Sequence, residues 1–288
     1  MSAYLEPMGF GRRNALFLQT ALDLLEDATR RALATVGLEP EAIDGVITVC
    51  STGIATPSLD AHLAERIGLR EDVIRTPLFG LGCAGGVLGL ARAADLARAR
   101  PGSSVLLAVV ELCSLALRWS DASVPNLVAC ALFGDGGAAA ILSTEGEGPR
   151  IAATGETRFP GTLQVMGWRI EDDGLGVLFS PSVPEIVRHR LGRALSAFLT
   201  RHGLTECEVD RWLCHPGGAK VLAALEQLLP QPAGGLEHAR AVLAEFGNMS
   251  APTVLFVLDR ALVEPGWQRA VLTALGPGFT AAFAVVER

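Results

Sequence analysis

The segment GLEPEAIDGVITVC, at 37–50, returns as GLTECEVDRWLCH at 203–215, with Asp44 and Asp210 standing 166 positions apart. The same offset carries Val105, in the apolar run SSVLLAVVE, onto Val271 in RAVLTALG, and Cys83 onto Met249, beside Asn248. Two copies of one plan constrain the chain to a duplicated α/β unit. The 288 residues, half of them hydrophobic, supply enough apolar material for a sheet in each half. The halves fall at residues 1–148 and 149–288. They differ at the front: RIAATGETR, at 150–158, reads as a strand opening the second half, whereas the first half offers only irregular residues up to Arg13.

Periodicity fills in the plan. Leu18, Leu22, Leu25, Ala28 and Ala32 recur at helical spacing over 14–36, and Gly37 stops that helix. A strand over 45–50, a helix over 58–67 and a strand into Gly82-Cys83 follow, then a helix from about Gly85 and further strands in SSVLLAVVE and FGDGGAAAILS. The second half reads as a helix over 184–202, a strand over 211–215 and a helix over 217–229. A strand into Gly247-Asn248, a helix over 250–263 and strands over 269–275 and 280–286 complete it.

Cys83 stands at a strand-to-helix corner, in RTPLFGLGCAGGVLGL. Unpaired N–H groups and the positive end of a helix dipole there favour thiolate over thiol. The small residues Gly82, Ala84, Gly85 and Gly86 leave room for a carbonyl to approach. Taken alone, a Gly-Cys pair reads as a buried core cysteine. His215, in LCHPGG, reads equally as a structural turn residue, and Asn248, in FGNMS, as a helix N-cap. Together they gain meaning, because all three occupy strand ends in the duplicated unit, and ligands of open α/β sheets bind beyond the carboxyl ends of strands. A thiol, an imidazole and an amide in one pocket suit acyl chemistry: nucleophile, proton partner and oxyanion donors.

Net charge is −7 with no basic block, which argues against nucleic acid and against a polybasic membrane contact. Val105 to Leu117 is too short to span a bilayer and carries Glu111, and no signal peptide opens the chain, so a soluble cytoplasmic protein is expected. Six cysteines show neither CxxC pairs nor Cys/His metal spacing, so no metal is expected.

GCAGG, ALFGDGGAA, CHPGG, FGNMSAPTVLFVL and GPGFT, in this order, resemble the type III polyketide synthases, the chalcone synthase-like group of the thiolase fold, with ELCSL and MGW closer to bacterial members. The resemblance implies a layered α/β/α/β/α architecture. It also implies a homodimeric acyltransferase that condenses an acyl-CoA starter with malonyl-CoA by decarboxylative Claisen chemistry and cyclises the product to a pyrone or resorcinol. Coenzyme A thioesters are substrates, and no further cofactor is implied. Cys83 matches the acyl-accepting nucleophile, and His215 and Asn248 the holders of the thioester carbonyl. Phe133 matches the phenylalanine lying over the site. Val177 replaces a second gatekeeper phenylalanine, Trp168 replaces a glycine of plant members, and Cys113 and Ala116 line the cavity. Thr56, before a cis Pro57, matches a residue that enters the partner's cavity, and Gly276, Pro277 and Gly278 match the loop shaping the pocket. Family members begin upstream of YLEPMGFG, so the resemblance predicts a first half without its first strand, central in that half's sheet, and without the basic residues that meet the CoA phosphates. Two alternatives stand beside this reading: a carrier-protein-dependent ketoacyl synthase of the same fold, and a truncated, non-catalytic remnant that only dimerises.

Overall fold

The computed structural model describes residues 8–116, 118, 121–230 and 235–288. The first half forms a four-stranded sheet in the order β2-β1-β3-β4, from β1 (Gly45–Cys50), β2 (Ile74–Phe79), β3 (Ser104–Leu112) and β4 (Asp135–Ser143). β1 runs parallel to β2 and β3, and β3 antiparallel to β4. The second half repeats the pattern with β8 (Arg211–Cys214) parallel to β9 (Arg269–Gly276), and β9 antiparallel to β10 (Thr280–Glu287). The order there is β5-β10-β9-β8, where β5 (Arg150–Arg158) is the strand opening that half.

This order corrects the expected central gap. β5 is an edge strand, paired only with β10, and in the first half β1 pairs directly with β3, so no central position stands open. A second correction concerns the approach to Asn248. The segment expected as a strand is helix α8 (Glu237–Phe246), because Ala239, Val242 and Leu243 recur at helical spacing against the core. Only an isolated parallel bridge, Phe133 to Asn248, remains of strand pairing there.

The matched aspartates do the same work in each copy. Asp44 accepts from the Ser104 N–H at 2.8 Å, and Asp210 from the Gln268 and Arg269 N–H groups at 2.8 Å, so each carboxylate ties the start of one parallel strand to the start of the next. Helix α3 (Gly85–Ala99) lies between the sheets, touching β1 and β3 on one side and β5, β9 and β10 on the other, with α9 (Thr253–Leu262) beside it. Close approach needs glycine here: a Cβ on Gly86 would stand 2.3 Å from the Ala251 carbonyl oxygen.

Outside the first sheet lie α1 (Phe10–Val36) and α2 (Leu59–Ile67). The buried stripe of α1 is Phe17, Ala21, Leu25, Thr29 and Leu33, together with Leu22, so the helix is turned from the expected face. Outside the second sheet runs one helical stretch composed of α5 (Val183–Ile186), a π turn (Val187–Leu191) and α6 (Gly192–Arg201), with α7 (Ala219–Leu228) packed on it. The layers are α/β/α/β/α. Helix α4 (Val124–Leu132) and the hairpin of β6 (Met166–Glu171) and β7 (Gly174–Phe179) had no clear periodic signal; the hairpin lines the site, and α4 ends at Phe133, which does so too. Among the described residues, no helix is long and apolar enough to cross a membrane.

Candidate active site

Cys83 sits in a single 3-10 turn, Gly82–Ala84, that runs into α3. Gly82 is in the left-handed region at φ 48, and a Cβ there would stand 2.6 Å from Pro277 Cδ; one on Gly276 would stand 2.4 Å from the Leu81 carbonyl oxygen. The nucleophile turn and the Gly276–Gly278 loop therefore cross at a distance only glycines permit. His215 directly follows β8, its N–H donating to the Thr273 carbonyl at 2.8 Å before Pro216-Gly217-Gly218 turns the chain into α7. Asn248 is fixed from both sides of Phe133: its N–H donates to the Leu132 carbonyl at 2.9 Å, and its carbonyl accepts from the Gly134 N–H at 2.9 Å.

Cys83, His215 and Asn248 line one cavity, although Asn248 arrives there from the end of helix α8 and not from the expected strand. The Cys83 Sγ lies 3.9 Å from Asn248 Oδ1, to which it donates, and that oxygen also accepts from the Ser250 N–H at 2.8 Å. With Oδ1 so engaged, the amide presents its NH2 end as the free donor. His215 is 4% exposed, and neither ring nitrogen has a protein partner, so a neutral ring offers one N–H and one lone pair.

The electrostatics differ from the sequence-based expectation of a thiolate. Burial pushes the Cys83 thiol up to about 11, helped by the Glu111 charge and opposed by hydrogen bonds with Ser250 and Asn248. Burial likewise lowers His215 to about 3. Burial thus favours thiol and neutral imidazole over thiolate and imidazolium, desolvation opposing the pull of a helix start.

Of the other expected residues, Phe133, Cys113, Trp168, Val177 and Pro277 line the cavity. Trp168 and Val177 are register partners in the β6–β7 hairpin, and Phe133 meets Trp168 edge-on at 6.2 Å, so these three form one wall. Ala116 is buried but does not line the cavity, and Gly276 and Gly278 only flank Pro277 there. Thr56 lies exposed outside its own chain's cavity, before a cis peptide bond to Pro57.

Sequence reasoning missed a second wall: Val183 and Leu191 from the helix outside the second sheet, Val221 and Leu225 from α7, and Thr273 and Leu275 from β9. Simple helical and strand periodicity marks these as core, and only packing shows that they border a space. It also gave no role to Glu111, which does not line the cavity but whose charge raises the Cys83 thiol. This carboxyl, fully buried, accepts from Ser51 N (2.9 Å), Ser51 Oγ (2.6 Å) and Thr52 Oγ1 (2.7 Å), and burial raises it to about 7. The signal was a lone acid in SVLLAVVEL. A surface group of Glu237, His238 and Glu264 brings three metal-ligating side chains together, none of them at the cavity.

Comparison with known proteins adds to this geometry. The family model for chalcone and stilbene synthases, N-terminal domain, matches residues 2–146, and that for the C-terminal domain matches 150–287. A 1,3,6,8-tetrahydroxynaphthalene synthase of Streptomyces peucetius subsp. caesius is 44% identical over 290 residues, covering 96% of this chain and 76% of its own. A putative chalcone synthase of Bacillus subtilis is 35% identical, covering 96% and 80%. The crystal structure of 1,3,6,8-tetrahydroxynaphthalene synthase from Streptomyces coelicolor A3(2), a bacterial type III polyketide synthase, superposes with a TM-score of 0.93 at 31% identity, over 99% of this chain and 83% of that one.

Proposed function

Because the chain belongs to the chalcone and stilbene synthase family, the type III polyketide synthases of thiolase-like fold, we propose that Cys83, His215 and Asn248 are the residues with which this acyltransferase condenses an acyl-CoA starter with malonyl-CoA. The observation that carries the assignment is the shared cavity, with the Cys83 sulfur 3.9 Å from the Asn248 amide.

The reaction follows from the groups at hand. As the Cys83 sulfur attacks the starter thioester carbonyl, its proton passes to the lone pair of neutral His215, and the departing CoA sulfur takes that proton back. Malonyl-CoA then loses CO2. The C–C electron pair becomes an enolate, whose oxygen is met by the His215 N–H and the Asn248 NH2, each donor of this kind being worth roughly 3 to 4 kcal/mol of barrier. The enolate carbon attacks the acyl carbonyl on Cys83, the C–S bond breaks with its electron pair leaving on the Cys83 sulfur, which takes up a proton from solvent to restore the thiol, and the elongated chain remains as its CoA thioester. The apolar walls exclude water and so protect the enolate from protonation.

The product is cyclised, of pyrone or resorcinol type. The 44% identity to a tetrahydroxynaphthalene synthase favours a second reading, in which the chain closes to a polyhydroxynaphthalene. The enzyme works in the cytoplasm as a homodimer with no cofactor beyond its CoA thioester substrates, and the exposed Thr56 of each protomer enters the other's cavity. Thr56→Trp should then shorten the products while sedimentation still shows a dimer.

The deciding assay is CO2 release from malonyl-CoA by the full chain without carrier protein, followed by product analysis by mass spectrometry. Cys83→Ala should keep decarboxylation and lose condensation, since the thiol carries the acyl group but takes no part in losing CO2. His215→Ala and Asn248→Ala should lose both. A chain that neither releases CO2 nor condenses is the non-catalytic remnant, and one active only with acyl-carrier protein is the ketoacyl synthase.

A further inference from the structure

One more polar group faces the cavity with nothing to bond. Thr273 is 3% exposed, lines the cavity, and its Oγ1 is buried without a hydrogen-bond partner. Its placement follows from the sheet. Thr273 is the register partner of Phe283, which stacks on Phe198 of α6 at 5.1 Å, so its side chain lies on the sheet face covered by the α5–α6 stretch. The same cavity is bordered by Val183, Leu191, Val221 and Leu225, with Leu275 two residues along the same strand. A buried hydroxyl left without a partner costs stability unless something pairs with it.

We propose that the Thr273 hydroxyl is a specificity determinant that donates a hydrogen bond to a carbonyl oxygen of the acyl chain carried on Cys83. This wall then takes an oxygenated chain in preference to a saturated one of equal length. The proposal rests on the cavity being the site of acyl condensation. A purely aliphatic wall separates substrates weakly, by methylene count. A site with a built-in donor rejects the analogue lacking the acceptor strongly, because the donor is then left unpaired. The starter class is accordingly an acyl thioester bearing an oxo group along its chain, and a saturated fatty acyl chain is the poor substrate.

The test uses the full chain, malonyl-CoA and pairs of acyl-CoA starters matched in length, one saturated and one bearing an oxo group at successive positions. CoA release gives kcat/KM, and mass spectrometry gives the products. The wild type should favour the oxo partner by about tenfold or more at one position at least, as loss of one buried hydrogen bond implies. Thr273→Val should bring that ratio close to one by slowing the oxo partner, and Thr273→Ser should keep it. No oxo preference at any position in the wild type, or a preference that survives in the valine variant, overturns the proposal. Should the valine variant fail to fold by circular dichroism, the wild-type ratio and its retention in the serine variant decide alone. Condensation without oxo preference defeats this inference only. Failure to condense with any starter defeats it together with the proposed function.

Discussion

Alkylation of Cys83 across pH separates two pictures of the resting site. Burial takes the thiol from 9.0 to about 11, which leaves roughly a hundredfold less thiolate at neutral pH than an ordinary cysteine holds. Only the thiolate reacts with iodoacetamide. Peptide mapping isolates Cys83 from the exposed Cys130 and Cys207. Its rate should climb about tenfold per pH unit and show no inflection below about pH 10. Access to a residue 9% exposed scales the rate but does not move the inflection, so the position of the curve is the quantity to read. His215 is not among the groups that shift Cys83, being held neutral by its own burial, so His215→Ala should leave the profile in place. Glu111→Gln removes a nearby negative charge and should move the inflection to lower pH. A plateau already reached near pH 7 and abolished by His215→Ala would refute the reasoning, since it would mean that a thiolate–imidazolium pair is present at rest.

His215 also links stability to acid. Its pKa is depressed from 6.5 to about 3 in the folded chain, so the unfolded chain binds more protons between those values; stability is whole above 6.5 and falls as pH drops towards 3, by up to about 5 kcal/mol. Urea melts should show this slope in the wild type and lose most of it in His215→Asn. Gly276→Ala should cost about 3 kcal/mol or more in the same melts and displace the nucleophile turn, because the new Cβ would meet the Leu81 carbonyl oxygen at 2.4 Å and Ala84 Cβ at 2.6 Å. A near-neutral melt would show that the loop can retreat. Asn248→Ala should slow condensation by about two to three orders of magnitude in kcat, the usual loss of one oxyanion donor, and should also cost about 1 to 3 kcal/mol in the melts, because the buried Ser250 N–H loses its acceptor.

The repeat at 166 positions announced the duplicated unit because strand starts and their tethering aspartates are local in sequence: Asp44 and Asp210 each bind the start of the next parallel strand. Cys83, His215 and Asn248 were legible for a related reason, since each stands at a glycine-marked corner that periodicity locates. Other features depended on which surface each element met. The helix before Asn248 passed for a strand because a short apolar run carries no clear period until its partner is known. The stripe on α1 had enough apolar positions for two faces, and packing chose the one with Phe17 and Leu33.

Short runs of neighbouring residues were enough to specify a chain built twice, with a thiol, an imidazole and an amide at glycine-marked corners. Tertiary structure alone decided the protonation of those groups, the edge position of β5 and the presence of an unpaired Thr273 hydroxyl in an aliphatic wall. Charge state and pairing depend on what surrounds an atom in space, and those surroundings come from segments far apart along the chain.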